Sequence, residues 1–174
     1  MLKYNLCFIR KGSQLLMLNR HKAPLLGMWN GVGGKLESGE TPYDSVLREV
    51  YEETGIALTE ARYGGIVTWE VDGKPTNGMY VYTAELPAKY ASAYETPAET
   101  EEGILAWRPV EWIVHPDNQG VAKHVRHFLP PMLAQAPCSE YRCVFRNGQL
   151  ISCTPLPLEA LYAVSASGGM DAQP

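Results

Sequence analysis

Three glutamates, Glu49, Glu52 and Glu53, recur at the i, i+3 and i+4 spacing that gathers side chains on one face of a helix. Like charges this close repel by roughly a few tenths of a kcal/mol per pair, so something cationic should sit between them. Arg48 lies within reach of Asp44 and Glu52 on the same helix, but one guanidinium does not neutralise the whole cluster. A hard divalent cation such as Mg²⁺ takes carboxylate oxygens and binds best where substrate phosphates complete its shell. Taken alone, the three glutamates fit a solvated acidic face better, since charge runs usually lie at the surface. Just upstream, Gly33-Gly34 allows a backbone to approach a metal or phosphate closely, Lys35 offers a phosphate a point charge, and Glu40 adds a carboxylate.

The helix that must carry this cluster has clear limits. Thr41 is a good N-cap, Pro42 suits the first helical position, Asp44 sits at the capping-box position, and Gly55 ends the helix as a C′ glycine. Tyr43, Val46, Leu47, Val50, Tyr51 and Thr54 form the predicted buried stripe. Upstream, residues 3–10 and 14–20 read as strands of a hairpin, and the glycine-rich stretch after them holds at most one short strand. Strands return between Ile56 and Pro87, with a turn near Asp72-Gly73-Lys74. Residues 87–102 read as a long loop and 104–110 as another strand. A second helix is expected over 118–129, stopped by Pro130-Pro131. Asn147-Gly148 between apolar runs predicts a hairpin over 141–153. A two-residue loop there sets Arg146 opposite Gln149, Val144 opposite Ile151 and Cys143 opposite Ser152, leaving Cys153 on the other face. Residues 1–163 are read as one domain and 164–174 as a flexible tail.

With 174 residues, 45% apolar and 20% charged, the chain can bury a sizeable core, which excludes a disordered or disulfide-stapled class. Its net charge of -4 provides no global basic field for a nucleic-acid polymer or an anionic membrane. No apolar run approaches the ~20 residues of a spanning helix, and a cytoplasmic location is expected. Cys7, Cys138, Cys143 and Cys153 show no zinc spacing and read as reduced thiols; the histidines are equally scattered. A metal site would therefore use oxygen ligands.

The segment GKLESGETPYDSVLREVYEETGI, Gly34 to Ile56, resembles the Nudix box, G-x5-E-x7-R-E-U-x-E-E-x-G-U, at every fixed position, with Val50 and Ile56 as the bulky apolar residues. The resemblance implies an α/β fold, an α-β-α sandwich with a mixed sheet between helices. It also implies hydrolysis of a nucleoside diphosphate linked to another moiety with Mg²⁺ or Mn²⁺, by a monomer or homodimer acting on a small nucleotide. In matched positions Glu49, Glu52 and Glu53 would bind metal, Gly33 would lend a carbonyl and Arg48 would orient the glutamates, with Glu49 the favoured base. A further metal-site glutamate is expected from Glu101-Glu102, Glu102 in particular.

Residues outside the box must select the substrate. The stretch from Trp29 through Asn30 to Lys35 resembles that of the 8-oxo-dGTP diphosphatases, and His115 to Val121 resembles the segment where those enzymes place a base-reading Asn or Asp. Asp117, Asn118 and Asn30 are thus candidate base contacts, and Arg20 and Lys35 candidate phosphate contacts. Asn118 has a second reading as the cap of the second helix, Trp29 as core, and Arg20 as a solvated charge. A pyrophosphatase acting on ADP-ribose or another nucleoside diphosphate derivative is the alternative within the same chemistry. A non-catalytic nucleotide-sensing module would instead be expected to have lost the glutamate cluster.

Overall fold

The computed structural model describes residues 2–159 and Tyr162; the expected tail at 164–174 lies outside the described residues. Nine described strands form one mixed sheet: β1 (Tyr4–Lys11), β2 (Gln14–Arg20), β3 (Trp29–Asn30), β4 (Arg62–Val71), β5 (Lys74–Glu85), β6 (Ala98–Thr100), β7 (Gly103–Pro109), β8 (Ser139–Arg146) and β9 (Gln149–Pro157). Their order is β6-β7-β2-β1-β5-β4-β8-β9, with β3 beside β2. The pairs β1–β5 and β4–β8 are parallel and the others antiparallel. Helix α1 (Pro42–Thr54) covers one face, and α2 (Val110–Ile113) with α3 (Val125–Leu133) covers the other. This is the α-β-α sandwich implied by the sequence.

Alternation along β1 and β2 divides the core in two. Cys7, Ile9, Leu16 and Leu18 pack with Val46 and Val50 of α1, whereas Leu6, Phe8, Leu15 and Met17 pack with Val125, Phe128 and Leu129 of α3. Both strands are buried on both faces and therefore read as near-continuous apolar runs.

Helix α1 begins and ends where its sequence says. Thr41 accepts from the Asp44 N–H at 3.1 Å and donates its hydroxyl to the Asp44 carboxylate at 2.6 Å. The Gly55 N–H closes the far end on Tyr51 O. Its inward face, however, is rotated from the predicted stripe: Pro42, Ser45, Val46 and Val50 are buried, and Tyr51 is 59% exposed. A buried hydrogen bond sets this rotation, because Asn5 Nδ2 on β1 donates to Ser45 Oγ at 2.8 Å.

Three other expectations need correction. Residues 87–102 are not free loop, for Tyr94 donates to Thr54 O and the Ala57 N–H donates to Tyr90 Oη, which straps the end of α1. The helix expected over 118–129 is displaced to α3, and Pro130 and Pro131 lie inside it. A helix-interior proline costs about 3 kcal/mol, but burial of Phe128, Leu129 and Met132 offsets that cost while Pro130 faces solvent. Finally, Asn147 and Gly148 do form the two-residue turn, with φ of 49° and 73°. A bulge between Val144 and Phe145 then leaves Ile151 unpaired and puts Val144 opposite Ser152, so Cys143 faces Cys153 rather than Ser152.

His124, just before α3, is buried, and burial lowers its pKa to about 4 from 6.5, with the neighbouring His127 a lesser cause. Above pH 6.5 the imidazole is neutral folded and unfolded. As pH falls, the unfolded chain takes the proton while the folded one resists it, so stability is lost between those two values, by up to about 3 kcal/mol. Denaturant unfolding across that window should show this loss, and His124→Gln should flatten it.

Candidate functional site

The loop between β3 and α1 runs along β1 as an irregular strand. Cys7 and Val32 exchange backbone hydrogen bonds, the Asn5 N–H donates to Gly34 O at 2.9 Å, and the Leu36 N–H donates to Lys3 O at 2.9 Å. Gly33 and Gly34 thus lie directly beneath the glutamate face of α1. The Gly33 N–H donates to Glu53 Oε2 at 2.8 Å. Gly33 has φ 145°, and a Cβ on it would meet Asn5 O. At Gly34 a Cβ would collide with the Glu49 carboxylate itself. Two consecutive residues without side chains are what let Glu49 and Glu53 reach inward.

Arg48 organises the polar side of the cluster. It grips Glu40 with two hydrogen bonds, 2.6 and 2.8 Å, and donates to Glu49 Oε1 at 3.0 Å and Glu52 Oε2 at 2.9 Å. The expected reach to Asp44 is replaced by Glu40, because Asp44 is occupied at the N-cap. This grip lowers the Glu40 carboxyl to about 2. Glu53 behaves oppositely: burial raises it to about 7, against the Gly33 N–H, and the nearby Glu49 adds to the rise. Burial likewise raises Glu49, whereas Glu52 is half exposed.

Of the more distant candidates, Arg20 and Glu102 come together at 3.8 Å, and Lys22 Nζ contacts Glu102 at 2.6 Å. Both Arg20 and Glu102 act electrostatically on Glu53, so Glu102 joins the cluster's surroundings while Glu101 faces solvent. Lys35 is exposed beside the glutamates, its carbonyl accepting from Arg48 at 3.3 Å. Asn30 is buried, and its Oδ1 meets no partner among the described residues. Asp117 is exposed. Asn118 spends its amide within its own loop, with Nδ2 donating to Trp112 O at 2.7 Å and Oδ1 accepting from the Gly120 N–H at 2.9 Å. It does not cap α3, whose N-cap residue is His124.

Sequence reasoning missed Arg108. Its guanidinium stacks on Trp29 at 4.4 Å and Trp112 at 5.5 Å, while Trp29 bonds to Gly120 and Ala122 through its backbone. The end of the 115–121 loop is thereby fixed against Trp29 of β3. Asn5 and Ser45 were also missed; the one available signal was a polar residue in an otherwise apolar strand.

A NUDIX domain model matches residues 4–129. The Nudix hydrolase YvcI of Bacillus subtilis is 33% identical over 128 residues, covering 73% of this chain and 76% of that protein. The oxidized purine nucleoside triphosphate hydrolase of Mus musculus is 28% identical, covering 66% and 70%. The NAD-capped RNA hydrolase NudC of Vibrio parahaemolyticus is 37% identical over 99 residues, but these span only 35% of its length. Among solved structures, the MutT protein of Bacillus halodurans superimposes with a TM-score of 0.70 at 22% identity, covering 89% of this chain and 97% of that one.

Nudix hydrolases generally need divalent metal ions, and the donor set fits such an ion. Carboxylate oxygens and backbone carbonyls are hard ligands, Glu53 is partly buried and among the described residues has no cationic partner at hydrogen-bond distance, and the Gly33-Gly34 cradle would be filled by a Cβ. Among the described residues no three acidic, histidine or cysteine side chains form a ready cage, since Arg48 draws Glu52 outward. Binding would therefore include a turn of Glu52 away from Arg48. Gly34→Ala should displace Glu49 and weaken Mn²⁺ binding in calorimetric titration while leaving the melting temperature close to wild type. Unchanged Mn²⁺ affinity would show that Glu49 does not need its present position.

Proposed function

Because the chain belongs to the Nudix family of hydrolases, we propose that it hydrolyses purine nucleoside triphosphates to the monophosphate and pyrophosphate, favouring oxidised purines such as 8-oxo-dGTP. Glu49, Glu52, Glu53 and the Gly33 carbonyl would hold Mg²⁺ or Mn²⁺, with Glu102 approaching from the β6–β7 turn. A cation bound there supplies charge neutralisation for the leaving pyrophosphate and acidifies the attacking water. Glu49, partly withdrawn from water, would accept a proton on its carboxylate as general base. Arg48 fixes Glu49 and Glu52, and Arg20 and Lys35 bind the phosphates.

The observation that carries the base preference is the buried, unpartnered Oδ1 of Asn30, three residues from Gly33. Guanine presents N7 and O6 as acceptors; oxidation at C8 turns N7 into an N–H donor. One amide then matches both, its oxygen accepting from N7–H and its nitrogen donating to O6. Asp117 faces the guanine donors at N1 and N2. Asn118 acts by stapling the loop to Trp112 and Gly120, not by reading the base itself. The similarity to the mouse oxidized purine nucleoside triphosphate hydrolase supports this reading.

The similarity to NudC favours a second reading, a pyrophosphatase on a nucleoside diphosphate derivative such as ADP-ribose or a dinucleotide. A panel of 8-oxo-dGTP, dGTP, ADP-ribose and NAD-capped RNA with Mg²⁺, read by products, separates the two. The first reading expects pyrophosphate release with 8-oxo-dGTP fastest; faster cleavage of ADP-ribose or capped RNA favours the second.

Two substitutions divide chemistry from recognition. Glu53→Gln should lower kcat by about 100-fold or more with the fold retained, the order seen when one electrostatic stabiliser is lost. Asn30→Ala should lower kcat/KM for 8-oxo-dGTP by ~1–3 kcal/mol, roughly 5- to 150-fold, with a much smaller change for dGTP. Equal losses on both substrates would remove the base-reading role.

A further inference from the structure

The hairpin of β8 and β9 brings two thiols together far from the glutamate cluster. Cys143 and Cys153 are direct cross-strand partners, and their sulfurs lie 2.9 Å apart. An S–S bond needs about 2.0 Å, so closure takes about 1 Å of relative movement. The bulge at Ile151 is what creates this pairing. Cys143 is fully buried against the α3-side core, whereas Cys153 is partly exposed on the edge strand. The other two thiols are placed differently: Cys7 is buried on the α1 side of the sheet, and Cys138 donates to Tyr63 O at 3.4 Å.

We propose that Cys143 and Cys153 form an oxidisable dithiol that hydrogen peroxide converts to an intramolecular disulfide, with Cys7 and Cys138 remaining thiols. In the first step the Cys153 sulfur attacks one peroxide oxygen; the O–O bond breaks, one water leaves, and Cys153 becomes a sulfenic acid. The Cys143 sulfur then attacks the Cys153 sulfur; the S–S bond forms, the S–O bond breaks and a second water leaves. Two thiols lose two hydrogens and two electrons, and the peroxide is reduced to two waters. The hydrogen bond from the Cys143 thiol favours the thiolate of Cys153 and holds Cys143 protonated, which makes the accessible sulfur the nucleophile. Burial pushes the Cys7 thiol up to about 12, which keeps it inert.

The product would staple β9, an edge strand bonded only to β8 within the described sheet. The glutamate cluster sits over β1, separated from β8 by β5 and β4, so hydrolysis should not change.

The test treats the full chain with hydrogen peroxide, then alkylates it under denaturing conditions for mass spectrometry. Wild type should lose two hydrogens, fall from four alkylatable cysteines to two, and yield a Cys143–Cys153 cross-linked peptide that dithiothreitol reverses. The oxidised form should melt at a higher temperature and hydrolyse nucleotides at the same rate as the dithiol form. Cys143→Ser should stop at a dimedone-reactive sulfenic acid on Cys153, and Cys153→Ser on the partly exposed edge strand should leave Cys143 unmodified. Persistence of four thiols, a link to Cys7 or Cys138, or disulfide-linked dimers alone would overturn the proposal.

Discussion

Partial burial of two carboxylates against a loop without side chains is the constraint to which the rest of this structure answers. A carboxylate withdrawn from water is costly unless donors or cations meet it. Glu53 is met by a single backbone N–H from Gly33 and stays poised near neutrality, while Glu49 shares one N–H of Arg48. That loop must approach α1 closely, so it carries glycine at two successive positions and is bonded along β1 from Lys3 to Cys7. The helix must also hold one rotation, which Ser45 secures through Asn5. Arg48 balances Glu40 and Glu52 and shares one bond with Glu49, so Glu53 has no bond from it.

The sheet brings the glutamate helix and the 115–121 loop to one short stretch of chain. Helix α1 occupies one face, while α2, α3 and the 115–121 loop occupy the other. Strand β3 joins them: Trp29 bonds to Gly120 of that loop, Asn30 follows it, and Gly33-Gly34 lies a few residues on. The Arg108 guanidinium between Trp29 and Trp112 adds rigidity without a further core residue, because a planar cation over an indole face is favourable even when partly buried.

Local signals made α1 legible to the residue, and the same signals failed where packing over distance decides. Thr41, Pro42, Asp44 and Gly55 act within one turn of the helix, so sequence alone located its ends. The rotation of α1 depends on Asn5, forty residues from Ser45, and Tyr51, expected in the buried stripe, therefore faces solvent. Pro130 and Pro131 carry a local prohibition that the apolar face of α3 overrides. Asn118 is a case of competing local uses, since the same amide suits a cap, a base or a loop, and its amide here bonds to Trp112 and Gly120 within its own loop. Glu102 could be nominated from sequence, and its contacts with Arg20 and Lys22 separate it from the exposed Glu101.

The second hairpin shows how little separates a correct turn from a correct register. Asn147 and Gly148 both adopt positive φ, as a two-residue loop requires, and Arg146 pairs with Gln149 as counted. One further residue, Ile151, then drops out of the ladder, and every partner beyond it shifts by one position. Side chains alternate with period two, so the shift brings Cys153 onto the face of Cys143 and into contact with it. A bulge costs the strand one unpaired residue, and here that residue is an exposed isoleucine on an edge strand, where the loss is small. Packing of Phe145 and Leu150 against the core beneath the turn is the compensating gain. The pairing of the thiols is thus a consequence of where apolar side chains must go, not of anything in the turn itself.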